Sequence, residues 1–410
     1  MTSVKVPAVV TTIGTLPWET PLNALLDIQT DTAPHQPDWA GSPQLRLVKE
    51  DLMRRPALVN APDVRRLRSL LAGVARGEMK VLQAGDCAED PAECAADHVM
   101  RKAGLLDILA GALKMVAHRP VVRVGRIAGQ FAKPRSRPTE IVDGRELPAN
   151  LGHFVNRPEP DPLRRRHDPA HLLTGYEAAS EAMTHLGWLN PVRRSSICPP
   201  VWTSHEALLL DYEISMLRRD EDGRSFLGSA HWPWIGERTR QVDGAHVSML
   251  AGVVNPVACK IGPTTLVEDL LALCERLDPW REPGRLTLIP RMGAGTAERK
   301  LPALVRAVHA AGHPVIWLCD PMHGNTVAVH GRRKVRYVDA VIREVQEFHS
   351  AVRTAGGVAG GLHLETTPDN VTECIDEQRG AGRAEDRYTT LCDPRLNPDQ
   401  AVSVVLAWQG

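Results

Sequence analysis

The 410-residue sequence has no excess charge of either sign, since 49 Lys and Arg balance 49 Asp and Glu. A chain without a global field does not gather nucleic acid or an acidic membrane surface, so any anion it binds must be held by a local cluster. It has no run of about 18 apolar residues, roughly what a membrane-spanning helix needs. Nor does it begin with a charged region, an apolar core and a small-residue cleavage site, so a soluble, cytoplasmic protein is expected. The eight cysteines include no CxxC pair and are spread too thinly for a disulfide framework, which leaves reduced thiols, mostly in the core. With 43% apolar and 24% charged residues the composition is globular, and disorder as the main theme is excluded.

What the sequence does have is alternation. Residues 1 to about 45 are rich in Pro, Thr and Asp and read as an extended arm or loosely helical lead-in. From Gln44 the apolar spacing turns helical through LRLVKEDLMRRP and VRRLRSLLAGVARGE, with Asp63 placed as an N-cap. Eight short apolar or β-branched runs follow: KVLQAG, PVVRVGRI, SSICPPVWTS, SFLGSAHWPWI, PVACKIG, RLTLIP, HPVIWLCD and GGLHLE. Amphipathic segments such as HEALLLDYEISMLRR, TTLVEDLLALCERL, LPALVRAVHAAG and YVDAVIREVQEFHSAVRTAGG separate them. The alternation predicts parallel βα units, and eight of them predict closure. The expected fold is α/β: a (β/α)8 TIM barrel with an N-terminal extended arm and extra helices, residues 1–74 forming the lead-in and 75–410 the catalytic domain. A doubly wound open sheet should carry a Gly-rich turn after its first strand, and GAGTAE at Gly293 supplies only a GxG.

In such a barrel the C-terminal ends of the strands form the active-site face. Those ends read Asp86-Cys87, Arg126, Glu206, Glu237-Arg238, Lys260, Arg291, His323 and Glu365. One strand-end Arg is ordinarily solvated or ion-paired, but polar groups at eight equivalent positions point to a site. They sort by chemistry. Arg126, Arg238, Lys260 and Arg291, with Lys133 and Arg135 beyond the second strand, imply a substrate bearing several negative charges. Cys87, His323 and Glu365, with Asp393 beyond the last strand, suit a divalent Mn, Fe, Co or Zn ion, and two carboxylates do not suit a purely structural zinc.

The motifs LQAGDCAED (82–90), RVGRIAGQFAKPRS (123–136), TSHEALLLDYE (203–213), WIGERTRQVDGAHV (234–247), KIGPT (260–264), RMG (291–293), CDPMHGNT (319–326), HLETTPDNVTEC (363–374) and CDPRLN (392–397) together resemble the type II 3-deoxy-D-arabino-heptulosonate 7-phosphate (DAHP) synthases. The likeness runs from about residue 75 to the C-terminus. It implies a barrel that condenses phosphoenolpyruvate with erythrose 4-phosphate and water, releasing phosphate, at the entry to the shikimate pathway. It further implies Cys87, His323, Glu365 and Asp393 as metal ligands, usually for manganese or cobalt. Arg126, Lys133, Glu237, Arg238, Lys260 and Arg291 would hold phosphoenolpyruvate; Arg135, Ser136 and Asp393 would face erythrose 4-phosphate. Lys260, Glu237, Cys87 and His323 are the expected catalytic set, with either Glu237 or a metal-bound water partnered by Lys260 delivering hydroxide.

Ala84 stands where the family more often has Gly, which reads as packing variation. The stretch from Ser136 to Glu237 is short beside longer members, whose helices there bind aromatic amino acids. Weak or absent inhibition by Phe, Tyr and Trp is therefore expected, as suits a synthase feeding specialised metabolism, and steady-state assays check it. An aminoDAHP synthase using an iminoerythrose phosphate shares the same residues, and a catalytically silent relative would have no reason to keep them. Cys392, next to Asp393, brings a second thiol towards Cys87. His205, His231, His246 and His363 read as structural histidines, Trp234 as packing under the substrate pocket, and RRDEDGR (218–224) as a solvated helix end and turn. A homo-oligomer is expected, with the arm as an interface element.

Overall fold

The apolar runs are buried on both faces, as strands with a packed interior and a coat of helices must be. The computed structural model describes residues 20–30, 33–39, 41–142, 144–190, 200–329, 333–375 and 387–408. Helices α1 (Leu22–Leu26), α2 (Pro43–Arg54) and α3 (Ala61–Ala75) precede the first strand. The cap of α3 is Asn60, not Asp63: the Asn60 side chain accepts the Asp63 N–H at 2.8 Å. Asp63 instead occupies the first turn, where its charge favours the helix dipole.

The strands in chain order are β1 (Lys80–Gly85), β2 (Val121–Arg126), β3 (Thr139–Val142), β4 (Arg145–Pro148), β5 (Trp202–Thr203), β6 (Leu217–Arg219), β7 (Ser225–Leu227), β8 (Trp234–Ile235), β9 (Val257–Ile261), β10 (Leu286–Pro290), β11 (Ile316–Cys319), β12 (Thr326–Val329), β13 (Arg333–Tyr337), β14 (Val358–Glu365) and β15 (Cys374–Ile375). Eight of them form one parallel sheet in the order β5-β2-β1-β14-β11-β10-β9-β8. Its two ends meet. Glu206 bridges Trp234, the Trp234 N–H donates to His205 O, and the Ala207 N–H donates to Trp234 O, both at 3.0 Å. The sheet thus curls into a barrel, as the strand count implied. Around it run α4 (Ala96–Ala117), α5 (Ala170–His185), α6 (Leu210–Ser215), α7 (Ala245–Ala251), α8 (Val267–Leu277), α9 (Ala297–Ala310), α10 (Val338–Thr354) and α11 (Pro398–Leu406). No helix among the described residues is long and apolar enough to cross a membrane.

Close strand packing has a backbone requirement. Gly361 in β14 has φ +146°, and a Cβ there would meet Val81 O of β1 at 1.9 Å, so only glycine fits.

Two local expectations are corrected. Only Trp234–Ile235 of SFLGSAHWPWI joins the barrel; β7 pairs antiparallel with β6 in a separate hairpin. RRDEDGR holds the expected turn, here joining the two strands of that hairpin, where Asp220 accepts the Asp222 and Arg224 N–H groups at 3.0 and 2.8 Å. HEALLLDYEISMLRR accordingly supplies only the short α6, because Leu217 must pair with Leu227. Residues 191–199, including Cys198 and the start of the third apolar run, lie outside the described residues.

Candidate active site

Cys87 follows β1 and is 1% exposed. Its neighbour Asp86, also at the strand end, does not join it. Asp86 turns to Lys102 Nζ (2.7 Å) and Arg395 Nη1 (2.8 Å), and Arg395 reaches Glu373 as well, at 2.8 Å. This buried network fastens the 392–397 loop against β1. The Asp393 N–H consequently donates to Cys87 Sγ at 3.3 Å, with Asp393 Oδ2 3.8 Å from the same sulfur. From the other side His323 Nε2 approaches Glu365 Oε1 at 3.3 Å. The donor atoms of His323, Glu365 and Asp393 lie within 4.8 Å of one another, and so do those of Cys87, Cys392 and Asp393. Asp393 is common to both triads, so the four expected ligands fall in two groups that overlap at Asp393, with Cys392 as an additional sulfur. Both cysteines are free thiols.

The surroundings orient this cluster. His323 Nδ1 faces Asp320 Oδ2 at 2.8 Å, which leaves Nε2 aimed at Glu365 and Asp393, the arrangement in which a carboxylate sets the ring of a metal-binding histidine. Asp320 also pairs with Lys260 Nζ at 2.9 Å. Glu365 is gripped by Arg126 Nη2 (2.9 Å) and Arg336 Nη1 (2.6 Å), all three side chains nearly inaccessible. Burial alone would push the Glu365 carboxyl up; His323, Arg336 and Arg126 outweigh it and hold it well below the usual range. Burial pushes the Cys87 thiol up, with Lys133 Nζ at 3.1 Å opposing.

Above the cluster opens a cavity of about 240 Å³. Lys133, Arg135, Arg238, Lys260, Arg291 and Lys334 supply cations to its wall, against the carboxylates of Glu206, Glu237 and Asp393, and Ser136 lies at its edge. Arg126 is absent from that wall. It lies beneath, stacked over the Trp234 ring at 5.2 Å, with Lys260 over the same ring at 5.8 Å. A larger groove of about 840 Å³ beside α2 mixes Arg46 and Lys49 with Asp38, Glu50 and Asp211 and so lacks this concentration of positive charge. Glu237 pairs with Arg240 at 3.1 Å, and its Oε2 is buried without a partner among the described residues. Burial pushes its carboxyl up, against the pull of Arg240.

Beneath the cavity a chain of hydrogen bonds crosses the barrel interior. Arg126 Nη1 reaches His363 Nε2 (2.9 Å), His363 Nδ1 meets Gln83 Oε1 (2.5 Å), Gln83 Nε2 donates to Ser204 Oγ (2.6 Å), and Ser204 donates to Trp232 O. An arginine only donates, so the direction of each link is determined and His363 is neutral with its proton on Nδ1. Burial, with Lys260 and Arg126, keeps its pKa well below the ordinary histidine value. Replacing His363 with Leu leaves Gln83 and Arg126 short of partners in a dry interior. It is expected to cost about 1–3 kcal/mol, read by urea unfolding. His205, His231 and His246 have structural partners in Glu213, Thr203 and the Leu208 carbonyl.

Sequence reasoning missed Asp320, Lys334, Arg336 and Glu89. Asp320 precedes His323 by three residues, across a turn. Lys334 and Arg336 alternate with Val335 and Tyr337 in β13, a period-two signal at the barrel mouth. Glu89 accepts the N–H groups of Ala128, Gly129 and Gln130 at 3.0, 2.9 and 2.7 Å, which shapes the loop leading to Lys133.

The sequence matches the class-II DAHP synthetase family over residues 24–193 and 190–408. It is 55% identical over 375 residues to a probable phospho-2-dehydro-3-deoxyheptonate aldolase of Pseudomonas fluorescens, spanning 91% of this chain and 94% of that protein. It is 39% identical over 420 residues to the phospho-2-dehydro-3-deoxyheptonate aldolase of Streptomyces coelicolor (91% and 93% covered), and 38% identical over 452 residues to that of Mycolicibacterium smegmatis (96% of each). The solved structure of the Francisella tularensis phospho-2-dehydro-3-deoxyheptonate aldolase superposes with a TM-score of 0.54 over 89% of this chain and 97% of that one. At 14% identity this last likeness speaks to the fold alone.

Proposed function

The chain belongs to the class-II DAHP synthetase family, and from that premise we propose that it condenses phosphoenolpyruvate with D-erythrose 4-phosphate and water to DAHP and phosphate. The observation that carries the reading is the juxtaposition of a cation-rich cavity with the donor set that meets at Asp393. A thiolate, an imidazole and two carboxylates fit a divalent ion of the manganese or cobalt kind, with iron and zinc as alternatives. Cys87, His323, Glu365 and Asp393 would hold it, and when bound it supplies Lewis-acid polarisation of the aldehyde.

The remaining work falls to the chain's own residues. Lys133, Arg238, Lys260 and Arg291 bind the phosphate and carboxylate of phosphoenolpyruvate, and Arg126 holds Glu365 and His363 from below. Arg135 and Ser136 face the phosphate of the second substrate. Held side by side, C3 of phosphoenolpyruvate bonds to the aldehyde carbon while the carbonyl π pair moves to the aldehyde oxygen, which takes up a proton from solvent, and C2 is left electron-poor. Water adds at C2 and gives its proton to Glu237, whose raised pKa and unpartnered Oε2 suit a base. The phosphohemiketal then releases phosphate. Glu237→Gln is expected to lower kcat by about 10²-fold with little change in the KM for phosphoenolpyruvate. Wild-type activity should fall as the pH drops through the raised Glu237 pKa, and the variant should lose that acidic limb.

The direct test mixes metal-loaded protein with both substrates and follows phosphoenolpyruvate loss with and without chelator. Loss that stops with chelator supports the proposal. No loss with erythrose 4-phosphate overturns it, and turnover with only the imino analogue transfers it to the aminoDAHP reaction.

A further inference from the structure

We propose that the barrel carries a second anion site, on the face opposite the active-site cavity, that binds a phosphate group, either free or carried by a small metabolite. A cavity of about 440 Å³ opens there, at the ends of β1 and β14 that lie away from Cys87 and Glu365. Lys80 is the first residue of β1, and its Nζ donates to Ala359 O near the start of β14 at 2.6 Å. The two strands then run side by side to Gly85 and Glu365. At about 3.3 Å per residue this cavity lies roughly 20 Å from the donor cluster at Asp393. The two sites share no residue.

Charge distinguishes this cavity from the other grooves at the surface. Lys80, His118, Arg119, His349 and Arg353 line it, and no Asp or Glu does so among the described residues. Burial pushes the Lys80 ammonium down, and Arg119 and Arg353 push in the same direction. Lys102 and Lys260 differ, since each is enclosed together with a carboxylate, at 2.7 and 2.9 Å. Lys80 has only a carbonyl oxygen and the Trp408 ring, 5.5 Å from its nitrogen. The C-terminal ends of α4 and α10 favour cations nearby, which accounts for His118 and Arg353. It does not account for a half-buried lysine at the start of a strand.

His349 faces the same cavity without a partner. It lies on α10, is 6% exposed, and stands edge-on to Trp408 with ring centres 4.9 Å apart. Neither ring nitrogen makes a hydrogen bond among the described residues. The other buried histidines, His205, His231, His246, His313 and His363, each have at least one. Burial, with Arg353 and Lys80, pushes the His349 imidazole down to about 4, so the ring is neutral and has one N–H to give. Lysine, arginine and a neutral imidazole N–H converging on one space suit a tetrahedral dianion, which offers acceptor oxygens in several directions. Ala117 and Val358 line part of the remaining wall, which leaves room for a short carbon chain attached to the phosphate.

The test is fluorine NMR of the full-length protein labelled with fluorotryptophan, in which Trp408→Phe assigns the Trp408 signal. Inorganic phosphate and glucose 6-phosphate are titrated separately, against sodium chloride at equal ionic strength. The Trp408 signal is expected to shift saturably with the phosphate compounds and not with chloride. Arg119→Glu, at an exposed position, should weaken that response by about tenfold or more. Arg291→Ala, which alters the catalytic cavity instead, should leave it intact. Tighter binding of glucose 6-phosphate assigns the site to a phosphorylated metabolite, and equal or tighter binding of inorganic phosphate assigns it to the free ion. The proposal is overturned by the absence of a saturable shift, by a shift that chloride reproduces, by a response that Arg119→Glu leaves unchanged, or by one that Arg291→Ala abolishes. None of these readouts involves turnover, so they stand apart from the activity proposed above.

Discussion

Cys87→Ala is expected to reduce kcat by about 10²-fold or more and to drop bound metal, measured by elemental analysis, well below one ion per chain. The thiolate does two jobs. It is the soft donor of the cluster, and it accepts from Lys133 Nζ (3.1 Å) and from the Asp393 backbone (3.3 Å). Removing it takes away a ligand and leaves the buried Lys133 ammonium without the sulfur that accepts its hydrogen bond. Cys87→Ser separates the two effects: a hydroxyl retains the hydrogen bonds but not the affinity of sulfur for a borderline metal. Serine should therefore recover stability in urea while recovering little metal. Should Cys87→Ala retain full turnover, insensitive to chelator, the assignment of this cluster is wrong.

Arg336→Met is expected to destabilise the protein by about 3–5 kcal/mol, because it strands the fully buried Glu365 carboxylate with one of its two arginines missing. The same change frees Glu365 Oε2 from the position in which Arg336 holds it, so metal affinity should fall by about 10- to 100-fold. Urea unfolding of the metal-free protein reads the first effect, and competition with a chelating dye reads the second. Adding Glu365→Gln to Arg336→Met should restore part of the stability and none of the metal binding. A double-mutant cycle showing no coupling between the two residues would contradict the pairing.

Much of this site was legible in the primary structure, for reasons that differ from residue to residue. Cys87, His323, Glu365 and Asp393 stood out because their chemistry is unusual at the ends of apolar runs, and the structure brings them together at Asp393. Asp86 was legible in type but not in direction. It shares the β1 end with Cys87, yet Lys102 and Arg395 draw it away from the cavity, and those partners come from α4 and from the loop before α11. Arg126 was read as a wall residue and lies under the floor, because His363 and Glu365 on β14 take its guanidinium first. Lys334 and Arg336 escaped notice because a short alternating strand outside the barrel looks like any other hairpin until its position over the mouth is known.

What the order of amino acids determined by itself was the succession of strands and helices, the eight-fold count and the chemical kinds available for binding. Periodicity and side-chain chemistry are local properties, and a local reading suffices for them. Tertiary structure alone decided which charges neutralise one another, which face the cavity, and how the first and last strands of the sheet meet through Glu206 and Trp234. Those outcomes depend on competition for partners among residues up to 309 positions apart, settled only once packing has removed water from between them.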